Sequence, residues 1–277
     1  MDEQINHTIG SFLSYNITLI LHEIQYIITF LSFYNMETPF TNSYADTTRA
    51  AAYARLDFPG TYYLAFRDLP KLIETYASKG KALDFGCGAG RSTRFLQSLG
   101  YETTGLDISA EMLALAHQLD KGGQYQLIED GQLNGVPDNH FHLILSAFTF
   151  DNISTLEKKT ALFREFHRVL KAGGCMINLV SSPELYVNDW ASFQTTCFPH
   201  NFIAQSGDIV NTIITDTDDP RPVDDELCTN ADYRNIYDEA GFAILKTHKP
   251  LATGKEPIAW VNETRIAPWT IYVLRKI

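Results

Sequence analysis

The run Leu83-Asp84-Phe85-Gly86-Cys87-Gly88-Ala89-Gly90 constrains this chain more than any other stretch, because a short apolar strand ends on an acid and passes at once into alternating glycines. A Gly-rich turn between strand and helix lets a ligand approach the backbone more closely than any Cβ would allow. A helix starting near Arg91 would also offer that ligand unpaired N–H groups. The dinucleotide fingerprint G-x-G-x-x-G is approached but not met. The third glycine falls one position early, at Gly90, and Asp84 stands where nicotinamide enzymes usually carry an apolar residue. These departures point to a different nucleoside ligand.

The spacing downstream agrees with that reading. Residues 101–107 read as a second strand ending on Asp107, about 20 residues further on, where a carboxylate can accept both ribose hydroxyls. Residues 125–131 read as a third strand that also ends on acids, Glu129 and Asp130, followed by the permissive Gly131. Residues 141–148 are almost continuously apolar, as in a parallel sheet covered on both faces, and their carboxyl end, from Ser146 to Asp151, would face the same crevice. Helix signals fill the gaps. Ser109 reads as the N-cap of a helix through Leu119, and Ser154 with Glu157 as a capping box ahead of the stripe Leu162, Phe163, Phe166, Val169 and Leu170. Thr229 with Asp232 opens a last helix whose Tyr233, Ile236, Tyr237 and Ala240 share a face before Gly241. Residues 243–247 and 269–274 read as two closing strands. Strands alternating with helices in this order predict an α/β fold.

Four pieces, in order, carry a family resemblance: residues 83–90; Gly105-Leu106-Asp107-Ile108-Ser109 with Met112; Glu129-Asp130-Gly131 with Val136-Pro137-Asp138; and Arg168-Val169-Leu170-Lys171-Ala172-Gly173-Gly174. Through them the chain resembles the class I S-adenosylmethionine-dependent methyltransferases, specifically the small-molecule group that includes the ubiquinone-biosynthesis-like enzymes. The resemblance covers residues 80–180, and more faintly 230–277. It implies a Rossmann-like, doubly wound, mostly parallel seven-stranded sheet with an N-terminal helical lid and an insertion after strand five, its last two strands an antiparallel pair at the sheet edge. It implies that Gly86, Gly88 and Gly90 pack against the methionine part of the cofactor, that Asp107 binds the ribose and Asp130 the adenine amino group, and that the backbone near Ser146 meets the sulfonium. The cofactor-binding set so implied also takes in Asp84, Cys87, Ile108, Met112 and Gly131. From the aromatic region before the first strand it adds Tyr44 and Tyr53, whose ring faces would attract a sulfonium. One departure is His142, where the family usually has Asp; it lies at a strand start and reads as structural.

A chain of 277 residues with 45% hydrophobic content can bury one large core and a smaller lid. Residues 1–35 read as an apolar helical extension, 36–79 as a helical lid containing Tyr44, Tyr53, Phe58, Tyr62 and Tyr63, and 80–277 as the methyltransferase domain. Within it, the proline-broken segment 181–230 reads as a substrate-covering insertion. Residues 17–33 are apolar except for His22, Glu23 and Gln25, three polar groups that argue against a membrane span. Two readings stand for the extension: an amphipathic helix packing on the domain or forming a homodimer, or a functionless stretch upstream of a start at Met36. The acidic runs 216–219 and 224–226 fit no calcium loop and read as solvated.

A net charge of −11 and pI of about 5.1 argue against nucleic acid as substrate, which needs a clustered basic face. Cys87, Cys175, Cys197 and Cys228 are too far apart for a zinc or redox pair, and the start lacks the basic flank of a signal peptide, so a cytoplasmic enzyme with reduced thiols and no metal is expected. The expected chemistry is in-line methyl transfer to an O, N or C nucleophile of a small molecule, in which the protein mainly positions and desolvates. A hydroxyl acceptor would want a base; Asp151, Tyr186 and His200 are candidates because they lie at or after the fourth and fifth strand ends. Two alternatives remain at this stage: a nicotinamide-dependent dehydrogenase, and a cofactor-binding protein on the same fold that transfers no methyl group.

Overall fold

The structure, a computed structural model, describes residues 46–277 apart from Phe58 and Asp130. The expected extension over 1–35 therefore lies outside the described residues, as do Tyr44, Phe58 and Asp130.

Buried strands form where the sequence is apolar and β-branched or aromatic, as in β4, β5 and β10, and the chain winds seven strands into one sheet. In chain order these are β1 (Lys81–Phe85), β2 (Glu102–Asp107), β3 (Gln124–Leu127), β4 (Phe141–Ala147), β5 (Leu170–Ser181), β9 (Phe242–His248) and β10 (Trp269–Lys276). They lie in the order β3-β2-β1-β4-β5-β10-β9, with β10 antiparallel to both neighbours. The closing strands thus pair as expected, with β10 inside and β9 at the edge. The order reverses between β1 and β4, so their carboxyl ends open a crevice at the switch point.

Period-two alternation divides the core into two layers. Leu143 and Leu145 of β4 and Ile177 and Leu179 of β5 enter one cluster with Leu72, Ile73, Leu96 and Trp269. Ile144, Met176 and Val180 enter the other with Phe163, Phe166, Tyr233 and Tyr237. The helices against these faces are α1 (Thr47–Ala54), α2 (Gly60–Arg67), α3 (Leu69–Tyr76), α4 (Arg91–Ser98), α5 (Ala110–Leu119), α6 (Leu156–Val169) and α7 (Asn230–Glu239). Ser109 caps α5 by accepting from the N–H of Met112, and Thr229 with Asp232 forms the reciprocal capping box of α7. His142, at the start of β4, accepts from the N–H of Lys81 (3.1 Å), a bond that joins β4 to β1 far from the crevice.

Three local readings change. The N-cap of α6 is Thr155, not Ser154: Thr155 takes a left-handed backbone (φ +66°) and accepts from the N–H of Lys158. The cause is tertiary, since the N–H of Thr155 donates to Glu226 (2.8 Å) from outside the helix. The proline-broken insertion contains a three-stranded antiparallel sheet, ordered β6 (Phe193–Gln194), β7 (Ile209–Ile214), β8 (Val223–Glu226). The acidic runs are only partly solvated. Asp219 is bound by Arg49 (3.2 Å) and Arg221 (2.7 Å), Asp218 by Arg55 (2.9 Å), and Asp225 and Glu226 are buried.

Lys159 on α6 is fully buried and meets Glu226 on β8 at 2.7 Å, which fastens the insertion to the helical layer. Removing one member of such a pair strands the other charge in low dielectric. Lys159→Met should therefore lower unfolding free energy by about 3–5 kcal/mol, and Lys159→Met with Glu226→Leu should recover most of the loss, both read by chemical denaturation.

Candidate active site

The glycine run leaves β1 and enters α4 through three left-handed residues, Gly86 (φ +69°), Gly88 (φ +52°) and Gly90 (φ +78°). Their roles differ. A Cβ at Gly86 would collide with Thr149, and one at Gly90 with Tyr125, so those two sites are closed by the protein itself. At Gly88 the nearest atom to such a Cβ is the Met112 Cε, at 3.3 Å. Gly88 is the one that leaves its bare backbone to a ligand.

Asp107, at the end of β2, holds this loop in place. Its Oδ2 accepts from the N–H of Gly88 (2.7 Å) and its Oδ1 from the N–H of Ser109 (2.8 Å), while the N–H groups of Gly86 and Cys87 donate to the carbonyl of Leu106. Burial raises the Asp107 carboxyl, and the N–H bonds act in the opposite direction. The side chain is partly exposed, and a carboxylate there can still accept from a ligand hydroxyl such as those of a ribose. The bare backbone at Gly88 and this carboxylate fit a nucleoside cofactor.

Asp84 sits elsewhere than the cofactor wall. It is fully buried, with Oδ2 accepting from the hydroxyls of Ser92 (2.7 Å) and Thr93 (2.6 Å), and so it ties the first turn of α4 to β1. Burial pushes it up to about 6. Cys87 is buried in the loop, its thiol pushed up by burial, which makes it packing and not a nucleophile.

The loop opens into a cleft lined by Tyr53, Leu56, Phe66, Gly86–Ala89, Arg91, Ala147 and Phe148, among others. Tyr53, on α1, is one wall of this cleft. The aromatic wall already carries a cation, however. The Arg91 guanidinium stands 5.3 Å from the ring centre of Tyr53, 5.4 Å from Tyr62 and 5.7 Å from Phe66, and it donates to the carbonyl of Leu56 and the hydroxyl of Tyr53. Met112 is buried beside Gly88, Ile108 packs partly on the core, and Gly131 has a left-handed backbone (φ +74°) beyond β3. The Ser146 side chain is fully buried in the sheet, and its neighbours Ala147 and Phe148 reach the cleft.

The three candidates for the base separate. Asp151 accepts from the N–H and hydroxyl of Ser181, and Tyr186 donates to Asp225 (3.2 Å) in the same buried cluster. His200 lies apart, exposed and bonded to Asn211. Ser181 and Asp225 escaped the sequence reading, since the only signal was an acidic run without recognisable spacing.

The seven-stranded sheet and its switch-point crevice form a Rossmann-like, doubly wound fold, and the Gly88–Asp107 cradle fits a nucleoside cofactor. The family model described as "Methyltransferase domain" matches residues 83–178, which carry the cradle, the last three residues of β1, strands β2 to β4 and most of β5. The demethylmenaquinone methyltransferase of Tropheryma whipplei (strain Twist) is 36% identical over 100 residues, 35% of this chain and 40% of that protein. Phosphoethanolamine N-methyltransferase 3 of Arabidopsis thaliana is 31% identical over 119 residues, 41% of this chain and 24% of that protein. In these two comparisons, then, the chain spans less than half the length of the curated relative. In fold it is similar to a putative S-adenosylmethionine-dependent methyltransferase of Listeria monocytogenes, with a TM-score of 0.57 at 18% identity over 78% of this chain and 99% of that one.

Two substitutions test the cradle by calorimetric titration with S-adenosylhomocysteine. Gly88→Val should abolish binding in a folded protein, because a branched side chain both strains the left-handed turn and fills the open side. Asp107→Ala should weaken binding at least about tenfold, since charged hydrogen bonds contribute about 1.5–3 kcal/mol each and about 1.4 kcal/mol is one decade. For Asp84, a folded-state pKa above the unfolded value means that the native protein binds the extra proton. Stability should therefore fall as pH rises from about 4 to about 6, and Asp84→Asn should flatten that part of the profile in thermal unfolding.

Proposed function

We propose that this protein transfers a methyl group from S-adenosylmethionine to a small-molecule acceptor. The observation that carries the reading is the cradle: bare backbone at Gly88 facing a cleft, keyed to a strand-end carboxylate that can still accept from a ribose hydroxyl. When bound, the cofactor supplies an electrophilic methyl on positively charged sulfur. The chain's residues do the rest. Gly88 and Asp107 orient the nucleoside, the aromatic wall of Tyr53, Phe66 and Phe148 excludes water, and Arg91 adds a fixed positive charge to the same cleft.

The helices over 47–76 are the lid, and the insertion with its three-stranded sheet covers the substrate. Two classes of acceptor are suggested by the named relatives: a demethylmenaquinone-type ring and a phosphoethanolamine-type amine. Among the described residues no helix is long and apolar enough to cross a membrane, and a cytoplasmic enzyme acting on small molecules rather than nucleic acid is in keeping with the −11 charge. A homodimer through residues 1–35 remains part of this proposal.

The test uses the full chain with methyl-labelled S-adenosylmethionine and fractionated cell metabolites. Label should appear in a small-molecule product with wild-type protein and not with Gly88→Val. Binding of S-adenosylhomocysteine without label transfer to any fraction would favour a non-catalytic cofactor-binding protein.

A further inference from the structure

The strands whose carboxyl ends open the crevice gather a second polar cluster at their amino ends, which methyl transfer does not use. Lys81 begins β1, His142 is the second residue of β4 and Lys171 the second of β5. The ladder between β4 and β5 skips from the pair Phe141 and Leu170 to the pair Leu143 and Cys175, so residues 171–174 leave the sheet beside His142.

Two contacts between lysine and histidine result. Lys81 Nζ stands 3.3 Å from His140 Nε2, and Lys171 Nζ stands 3.1 Å from His142 Nε2. They differ in what the imidazole can do. His140 Nε2 can accept from the Lys81 ammonium, because no other hydrogen bond among the described residues fixes that ring. His142 has no such freedom. Its Nδ1 already accepts from the backbone N–H of Lys81 (3.1 Å), a group that can only donate, so Nε2 carries a proton whether the ring is neutral or charged. The Nε2–H of His142 and the ammonium of Lys171 therefore face each other as two donors in want of an acceptor.

The local charge leans the same way. Burial first, then the fields of Lys81 and Lys171, hold His140 below its usual range with Glu102 opposing, which puts these groups in one neighbourhood. Lys276 adds another ammonium, bonded to the carbonyl of Leu170 and to Asn139. Of the nearby carboxylates, Glu102 lies 3.8 Å from Lys81 and Asp138 is taken by Arg168 (2.6 Å), and none pairs with Lys171 among the described residues. On a chain of net charge −11 this is a reversal of sign. Lys81, His140, His142 and Lys171 are all partly exposed, so a ligand can reach them from solvent.

We propose that Lys171, His142 and Lys81 bind the phosphate group of a small anion. A phosphate dianion presents acceptor oxygens on several sides. One oxygen between Lys171 and His142 turns two facing donors into two charge-assisted hydrogen bonds, and another oxygen meets the Lys81 ammonium. The site stands at the end of the sheet away from the cleft, so it does not depend on the methyl-transfer reading.

The experiment titrates the full chain with inorganic phosphate and with pyrophosphate at constant ionic strength, with potassium chloride as the control salt. Imidazole nitrogens are followed by NMR and the unfolding midpoint by thermal melting. Phosphate should shift the His142 Nε2 signal saturably and raise the midpoint, because a ligand held only by the native state stabilises it. Chloride should do neither. Lys171→Gln should weaken phosphate binding at least about tenfold, the scale of one charge-assisted hydrogen bond. Lys81→Gln should weaken it as well, whereas Lys255→Gln, at an exposed position between β9 and β10, should leave it unchanged. The proposal is overturned by a His142 Nε2 signal typical of an unprotonated nitrogen, by a response to chloride equal to that with phosphate, by wild-type affinity in Lys171→Gln, or by an equal loss in Lys255→Gln.

Discussion

Everything that defines the cleft depends on the carboxylate of Asp107 bonding two backbone N–H groups at once. One belongs to Gly88 in the loop after β1, the other to Ser109 at the start of α5. Those bonds fix two βα turns to each other at the point where the sheet order reverses. They also make the carboxylate proposed to take the ribose part of the scaffold that shapes the cleft. The acid beneath, Asp84, repeats the device one layer down by holding α4 through Ser92 and Thr93. A ligand that meets the outer carboxylate meets a group already oriented, so little side-chain entropy remains to be lost on binding.

The parts of this arrangement that could be read from the chain are those in which local chemistry and the fold agree. Leu83 to Gly90 reads as a strand leading into a Gly-rich turn, which the acids that end the next two strands turn into a cradle, and β2, β4, β10, α5 and α7 follow from periodicity and caps. The parts that could not be read are set by contacts across the sequence. Thr155 displaces Ser154 as a cap because Glu226, 71 residues away, takes its N–H. The family resemblance counts Asp84 among the cofactor residues, but Ser92 and Thr93 hold it inward. The insertion hid its sheet because prolines broke the pattern in sequence while leaving the pairing of β7 with β8 intact.

Arg91 illustrates the same limit within the cleft. Its neighbours in sequence suggested only a helix start, whereas the structure places its charge over three aromatic faces drawn from α1 and α2. A cation bound there competes for the ring faces with any other cation brought into the cleft, so the wall is better suited to shaping and drying the site than to acting as a vacant sulfonium cage.

The ion pairs that join α1 to the insertion differ in how far they stand from water. Arg49 with Asp219 is nearly enclosed, its side chains 12% and 9% exposed, while Arg221 with Asp46 is about half-exposed and Arg55 with Asp218 lies open. Dissolved salt screens open charges over about 8 Å at physiological strength and enclosed ones far less. The seam is therefore graded: rising ionic strength loosens its outer stitches while the inner one holds, so the two segments are drawn together from a distance by charge and kept in register by a single sheltered contact.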